Sequence, residues 1–314
     1  MSTQTSIEWT DITWNPVRGC SLVSAGCQNC YAMKQAHRFS GEGMPYEGLT
    51  ELGPHGPRWT GKITLVKDWL DKPMRWKTPR KIFVNSMSDL FHEDVPESFI
   101  EQVFGIMATT PHTYQILTKR PERMRAFMQD RMGYNERFTV IHQGVWPPNN
   151  VWLGVSIEDQ TTADQRIPIL LKTPAAVRWV SAEPLLGPVD LSAHVGEGIC
   201  SMRADKSHCD CWWDEEVAKC CSCGQWGYLD WVVVGGESGP GARPYDICHI
   251  RNIVKQCQTE CVPVFVKQLG AKPLHHCVSG SPIEQTGVRF PLKDRNGKDM
   301  TEWPADLRVR EWPR

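Results

Sequence analysis

The chain has 314 residues, of which 35 are Lys or Arg and 36 are Asp or Glu, so its formal net charge is −1. With 40% hydrophobic residues it is neither a disordered nor a collagen-like chain, and no apolar run approaches the roughly 20 residues that span a bilayer. The near-zero charge argues against a protein that holds duplex DNA mainly by charge, although a local basic groove stays open. The first residues lack the basic start and apolar stretch of a secretory signal, so we expect a cytoplasmic protein.

Short apolar runs recur along the chain and are typical of strands that are buried on both faces of a parallel sheet. The predicted strands are Ile7–Trp14, Lys81–Val84, Tyr114–Leu117, Val151–Val155, Val177–Val180, Leu229–Val234 and Val262–Val266. Helical patterns are predicted over Tyr31–Arg38, Glu97–Thr109, Thr162–Leu171 and Asp246–Cys261. Thr161 or Thr162 is the expected N-cap of the third helix, which Pro168 limits or kinks.

This alternation of strands and helices predicts an α/β fold, a partial (β/α)6 TIM-like barrel, with an open doubly wound sheet as the alternative. Residues 192–228 break the alternation, because they hold six cysteines and no strand-like run. We therefore expect a barrel over residues 1–191 and 229–272, a cysteine-rich metal-binding insertion over 192–228, and a loop-rich extension over 273–314.

Charged side chains follow six of the predicted strands, where barrel enzymes place their chemistry. These residues are Asp89, Lys119, Glu158, Glu183, Glu237 and Lys267. Lys119, Glu183 and Glu237 are the candidate catalytic groups. Glu183 is a proton-handling group or a helix N-terminal acid, and Lys119 with Arg120 can bind an anion, although Arg120 can equally be surface solvation.

The segment GGESGPGARP follows the sixth strand and is glycine-rich. Gly235 and Gly236 allow the backbone to approach a ligand and expose N–H groups, while Glu237 supplies a carboxylate and Arg243 a forked cation. A tight turn is the alternative interpretation.

The sharpest motif is the N-terminal loop with Cys20, Cys27 and Cys30, in which gaps of six and two residues separate the cysteines. Three thiolates on one loop can hold three irons of a [4Fe–4S] cluster and leave the fourth iron open. The alternatives are a zinc site completed by a remote ligand such as His37, or small buried side chains without a metal.

Several segments carry a resemblance to known families. WNPVRGC and GCQNCYA resemble the cluster loop of radical S-adenosylmethionine enzymes, especially the spore photoproduct lyase-like branch. IEWTDITWNPVRGC, SIEDQTTADQRIPILL, SAEPLLGPVDL and GGESGPGARP resemble a phage-associated three-cysteine-motif family, over most of the chain outside residues 192–228.

The resemblance implies a radical S-adenosylmethionine enzyme with a partial (β/α)6 barrel and its cluster loop after the first strand. Cys20, Cys27 and Cys30 would ligate a [4Fe–4S] cluster, S-adenosylmethionine would chelate the open iron, and its reductive cleavage would release a 5′-deoxyadenosyl radical. A reductant such as flavodoxin or ferredoxin is the implied partner. The phage association and the lyase-like loop hint at a nucleic-acid or nucleotide substrate, by analogy alone.

The chain departs from the usual pattern of these enzymes in two places. The usual gap between the first two cysteines is three residues, and the usual Gly-Gly-Glu segment after the second strand is absent there. By position, Ser86 or Asp89 is the candidate for holding the methionine amine, and Ser156 and Glu158 resemble positions used for the cofactor ribose or carboxylate.

The insertion carries a second set of potential ligands, Cys209, Cys211, Cys220 and Cys223, with Cys200 and His208 in reserve. Structural zinc is the preferred occupant and a second cluster the alternative. Cys248, Cys257 and Cys261 fit an apolar helix face and are expected in the core. Two other functions stay open: a zinc-stapled nucleic-acid-binding or adaptor module with tryptophan stacking platforms, and a barrel enzyme of other chemistry with structural cysteines.

Overall fold

The structure is a computed structural model that describes residues 5–54, 56–130, 146–195, 228–275 and 288–313, and the backbone of 213–214 and 219–220. The described helices are α1 (Tyr31–His37), α2 (Glu97–Ala108), α3 (Pro121–Asp130), α4 (Gln160–Leu171), α5 (Ser192–Val195) and α6 (Ile247–Thr259). The described strands are β1 (Ile12–Trp14), β2 (Val17–Arg18), β3 (Thr50–Gly53), β4 (Gly56–Trp59), β5 (Thr64–Leu65), β6 (Lys81–Val84), β7 (Thr113–Thr118), β8 (Val151–Ile157), β9 (Val177–Ala182), β10 (Trp213–Asp214), β11 (Lys219–Cys220), β12 (Trp231–Gly235), β13 (Tyr245–Asp246), β14 (Val264–Gln268), β15 (Pro273–His275) and β16 (Val288–Arg289). Within these ranges, no helix has both the length and the apolar character needed to cross a membrane.

Seven strands form one sheet in the order β1-β6-β7-β8-β9-β12-β14. Registers such as Ile12↔Ile82 and Val232↔Val264 are parallel, and each strand in the order comes later in the chain than its neighbour. This stepwise parallel winding confirms the predicted α/β class and is consistent with a partial TIM-like barrel. All seven predicted strands are present, although the first is confined to Ile12–Trp14.

The chain divides into two compact units. Unit 1 is Met1–Ser156 with Pro174–Val177, and unit 2 is Ile157–Thr173 with Arg178–Arg314. In unit 1, helix α2 buries an apolar stripe whose members are Phe99, Ile100, Val103, Phe104 and Met107. Beside its share of the sheet, unit 1 carries two antiparallel strand pairs, β2 with β5 and β3 with β4. The first of these pairs leads directly into the loop that contains Cys20.

In unit 2, strand β12 is buried along its whole length, as its run of β-branched residues predicts. Helix α4 begins earlier than predicted, because Asp159 rather than Thr161 or Thr162 is its N-cap. The Asp159 carboxylate accepts a hydrogen bond from the Thr162 N–H at 2.9 Å, and the Thr162 hydroxyl accepts one from the Asp159 N–H at 3.1 Å. The helix continues through Pro168 to Leu171.

Short elements also lie where loops are predicted. Helix α5 and the antiparallel pair β10–β11 fall within residues 192–228, where no strand-like run is visible in the sequence. Strands β15 and β16 pair within the extension that follows residue 272. Strands of two or three residues are too short to show a period of two in the sequence.

Candidate functional site

The three N-terminal cysteines lie on one loop of unit 1, between β2 and α1. Cys27 ends a short 3-10 turn, and Cys30 is the N-cap residue of α1. The Cys27 N–H donates to the Ser24 carbonyl at 2.9 Å, and the Cys30 N–H donates to the Cys27 carbonyl at 3.2 Å. Cys20, Cys27 and Cys30 are free thiols, and each is half-buried. The loop therefore presents three unoxidised sulfur donors in consecutive turns.

The surroundings of Cys20 and Cys30 oppose the ionisation of these two thiols. Burial raises the pKa of Cys20 to about 12; Asp89 adds to the rise and Arg120 opposes it. Burial also raises the pKa of Cys30, against backbone hydrogen bonds and Lys119. The charge of each neighbouring thiolate raises both values further, so the thiols interact electrostatically. A bound cation would be needed to keep such thiols ionised at neutral pH.

The donor set fits an iron–sulfur cluster in its chemistry. Among the residues that the structure describes, no three His, Cys, Asp or Glu side chains form a group suited to one metal ion. A closed zinc site and a four-iron cluster both need their thiolates gathered around one centre, so this finding favours neither metal. His37, the remote ligand of the zinc alternative, shares a hydrogen bond between its Nδ1 and the Thr50 hydroxyl at 3.0 Å.

A buried ion pair supports the cysteine loop from the ends of β6 and β7. The Asp89 carboxylate accepts hydrogen bonds from the Thr118 hydroxyl at 2.8 and 3.0 Å, from the Lys119 N–H at 3.2 Å and from Arg120 Nη1 at 3.1 Å. Arg120 Nη2 in turn donates to the Ser21 hydroxyl at 2.6 Å. Ser21 follows Cys20 directly, so Arg120 ties the loop to the strand ends.

Two further groups complete this network. Arg120 Nε donates to Glu93 at 2.8 Å, and His92 Nε2 shares a hydrogen bond with the Ser21 hydroxyl at 3.0 Å. Although burial opposes the change, a hydrogen bond from its own N–H and the Arg120 guanidinium lower the pKa of Glu93 to about 2. Burial lowers the pKa of Arg120, but Asp89, Cys20 and Glu93 more than offset this and raise it above its ordinary value. Sequence reasoning missed Ser21, His92 and Glu93, and the only sequence signal was the position of Ser21 beside a cysteine.

The other predicted groups of unit 1 lie in the strand-end loops. The Ser86 hydroxyl donates to Asn15 Oδ1 at 3.2 Å, and the Ser86 carbonyl accepts from the Tyr31 hydroxyl at 2.6 Å. Lys119 Nζ donates to the Ser156 hydroxyl at 2.6 Å, and Ser156 lies within β8 rather than after it. Ser86 thus contacts the residue that follows Cys30, whereas Lys119 and Ser156 contact each other.

In unit 2, Glu158 forms a buried ion pair. Its two carboxylate oxygens lie 3.4 and 3.3 Å from Arg166 Nη1, and the Glu158 side chain is 0% exposed. The Glu158 N–H donates to the Thr162 hydroxyl at 2.9 Å. Glu158 therefore joins the end of β8 to helix α4.

Glu183, which follows β9, and Lys267, which lies within β14 rather than after it, form an ion pair. Lys267 Nζ donates to both Glu183 oxygens, at 2.7 and 2.8 Å, and Gln268 Nε2 donates to one of them at 3.2 Å. The Glu183 and Lys267 side chains are 16% and 15% exposed. Both members of this pair therefore retain some solvent access.

The glycine-rich segment of unit 2 is closely packed. Arg243 donates to Glu237 from its backbone N–H at 2.8 Å, from Nε at 3.0 Å and from Nη2 at 2.6 Å, so the carboxylate and the forked cation face each other. A Cβ on Gly236 would collide with the Tyr245 ring and lie 2.7 Å from the Leu269 carbonyl oxygen. Gly236 therefore serves the packing of its own unit.

The remaining cysteine predictions have mixed outcomes. Cys209, Cys211 and Cys223, like Cys200 and His208, lie outside the described residues, and only the backbone of Cys220 is described. Cys257 lies in the core on helix α6, as expected, and Cys248 is half-buried. The prediction for Cys261 is wrong, because α6 ends at Thr259 and the Cys261 side chain is exposed.

Comparisons with known proteins give one family and one structural likeness. A sequence profile described as "Protein of unknown function (DUF5131)" matches residues 4–302. No curated protein matches the chain. Among solved structures, a mutant spore photoproduct lyase is similar, with 13% sequence identity and a TM-score of 0.37. The alignment covers 59% of the present chain and 48% of the lyase chain, so the match spans about half the length of that structure.

Proposed function

Because the chain belongs to the DUF5131 family, whose description assigns no activity, we propose its function from its own residues. We propose a radical S-adenosylmethionine enzyme in which Cys20, Cys27 and Cys30 hold a [4Fe–4S] cluster. The observation that carries the proposal is the set of three free, electrostatically interacting thiols on one loop, whose flanking residues Gly19 and Tyr31 contact the segment after β6. When bound, the cluster supplies an electron for the reductive cleavage of S-adenosylmethionine.

The residues around Cys20 would act through position and charge. Arg120 lowers the pKa of Cys20 against the effect of burial, which favours the thiolate that a metal requires. Its hydrogen bond to Ser21 fixes the loop next to Cys20. Both Asp89 oxygens are already used by Thr118 and Arg120, so we assign Asp89 as a positioning residue rather than a group that contacts the cofactor.

The groups predicted to act on substrate differ in how much of each side chain is exposed to solvent. Glu183 and Lys267 form a hydrogen-bonded acid–base pair with some solvent access, so they are our candidates for holding and moving a proton at Glu183 Oε1 or Lys267 Nζ. Glu237 is 6% exposed and held by Arg243 through three hydrogen bonds, which suits a structural role. Lys119 stays a proposed anion-binding group, with Ser156 as its hydrogen-bond partner.

The proposal is tested on protein purified without oxygen and reconstituted with iron and sulfide. We expect four irons and four sulfides beyond any metal held elsewhere. We also expect an electron paramagnetic resonance signal, on reduction, that changes when S-adenosylmethionine is added. Incubation with dithionite or with reduced flavodoxin should release 5′-deoxyadenosine.

Matched cysteine variants locate the cluster. Cys27→Ala should abolish the cofactor-sensitive signal and the release of 5′-deoxyadenosine, whereas Cys261→Ala, which removes an exposed free thiol of unit 2, should preserve both. Metal bound in residues 192–228 would survive in both variants and would not respond to S-adenosylmethionine. A single zinc ion lost on Cys27→Ala, with no iron bound at this loop, would favour the zinc-stapled adaptor instead.

A further inference from the structure

A cluster of cations surrounds Trp69 in unit 1. The Arg18 guanidinium carbon lies 4.6 Å from the centroid of the Trp69 ring, and Lys72 Nζ lies 3.2 Å from it. Burial, followed by the charges of Arg18 and Arg75, lowers the pKa of Lys72, while Asp71 opposes the change. These three cations, which we call the Trp69 cation cluster, are therefore close enough to repel one another.

The surrounding segment is basic although the chain as a whole is not. Residues 62–80 contain six Lys or Arg and two acidic residues, against a formal charge of −1 for the chain. Within the described part of the protein, only Arg75 of these six lies within salt-bridge distance of a carboxylate, that of Asp71 at 2.7 Å. Lys62 and Lys67 are exposed. The segment carries more positive charge than its own acids neutralise, which favours an anionic ligand.

This cluster is attached to the cysteine loop. Arg18 lies in β2, opposite Thr64 of β5, and is two residues from Cys20. Its guanidinium carbon also lies 5.6 Å from the centroid of the Tyr46 ring, and Tyr46 packs on the small apolar core that Cys20 and Cys30 contact. Between them, Gly19 has a φ of +86°, and a Cβ on it would collide with the Lys62 carbonyl oxygen.

We propose that the Trp69 cation cluster binds the phosphodiester backbone of a single-stranded nucleic acid. Several cations along one segment suit a chain of phosphates, and the anion would relieve their mutual repulsion. The Tyr31 side chain, which is 54% exposed, begins α1 directly after Cys30 and offers an aromatic ring to an unstacked base. That this nucleic acid is the substrate rests on the proposed radical chemistry, whereas its binding is measurable without any cluster.

Fluorescence anisotropy with a labelled mixed-sequence single-stranded oligonucleotide tests the binding on the metal-free full chain over a series of salt concentrations. Arg18→Gln and Lys72→Gln should each weaken binding by about fivefold or more at low salt. Each should also lower the slope of log K against log salt by about 0.7, the value for one lost phosphate contact. Arg18→Lys should retain most of the affinity. Arg58→Gln is the matched control, since Arg58 is exposed in the same unit but already paired with Glu51 at 2.7 Å, and it should bind like the parent protein.

The outcomes separate this proposal from its alternatives. A lower melting temperature of Arg18→Gln would mean that this variant also disturbs the fold. In that case Lys62→Gln, which replaces an exposed cation that does not contact Trp69, must still reduce the slope of log K against log salt. Equal affinity in all variants, or binding to anionic phospholipid vesicles but not to the oligonucleotide, would overturn the proposal. If the protein binds the oligonucleotide but retains no iron, the proposed enzymatic function is wrong and this inference stands. If a cluster cleaves the cofactor but the protein does not bind the oligonucleotide, this inference is wrong and the proposed function stands.

Discussion

The two units differ in where they place their charged and reactive side chains. In unit 2, the strand-end carboxylates are each matched with a cation of the same unit: Glu158 with Arg166, Glu183 with Lys267, and Glu237 with Arg243. Unit 1 has paired charges as well, such as Asp89 with Arg120, but its three N-terminal cysteines share one loop, and Arg18 and Lys72 both lie against the Trp69 ring. The paired charges of unit 2 stabilise the structure around them, whereas our proposed cluster and anion sites rest on the cysteines and cations of unit 1.

The largest effect should come from breaking the most buried pair of unit 2. Glu158→Gln leaves Arg166, whose side chain is 7% exposed, without its carboxylate, and such a loss costs about 3–5 kcal/mol. Urea denaturation followed by circular dichroism measures this change. Glu183→Gln serves as the comparison, since its pair is more exposed and its loss should be smaller. Iron content at the cysteine loop should be unchanged in both, and a selective loss of iron in Glu158→Gln would contradict the division between the units.

The glycine-rich segment offers a second way to sharpen the comparison. Gly236→Ala places a methyl group against Tyr245 and Leu269, and overpacking of this kind costs about 1–3 kcal/mol. Gly187→Ala is the matched control, because a Cβ there meets only the Asp159 Cβ at 3.8 Å. If Gly236→Ala kept its stability but lost affinity for S-adenosylmethionine, the segment would be a cofactor loop, as its sequence predicts, rather than a packing element.

The smallest effect is a pH dependence at the support of the cysteine loop. The pKa of Glu93 falls from 4.5 to about 2 on folding, so its contribution to stability is present above pH 4.5 and is lost as the pH falls toward 2. Glu93→Gln removes this carboxylate and leaves the Asp89–Arg120 pair intact, so we expect slightly lower stability at neutral pH and a shallower decline in acid. The Glu93 side chain is 61% exposed, and solvent screening keeps the change small. Parallel acid titrations of the unfolding midpoint of both proteins measure it, and identical slopes would rule out this coupling.

The architecture could be predicted from the sequence because a buried strand is visible as a short run of β-branched residues, which is a local signal. Strand β6 spans Lys81–Val84 as predicted, and β12 (Trp231–Gly235) overlaps its predicted run, Leu229–Val234. The same local logic located the strand-end charges, since parallel strands bring their carboxyl ends together. The same reasoning did not identify Asp159 as the N-cap of α4, because the two threonines that follow it are also residue types that cap helices.

The hydrogen-bond and ion-pair partners of the site residues could not be predicted from the sequence. Ser21 and Arg120 are 99 positions apart, and Glu183 and Lys267 are 84 apart, so their contacts depend on how loops close over the strand ends. Arg18 contacts Trp69 only because β2 pairs with β5. Periodicity and spacing describe elements one at a time, whereas these contacts arise from the register between elements.

The close packing around Gly19 constrains the residues on either side of it. A Cβ at this position would collide with the Lys62 carbonyl oxygen, and residues with a side chain rarely adopt its φ of +86°. Because Arg18 and Cys20 flank Gly19, a larger residue at this position should displace the Trp69 cation cluster and the first cysteine of the loop together.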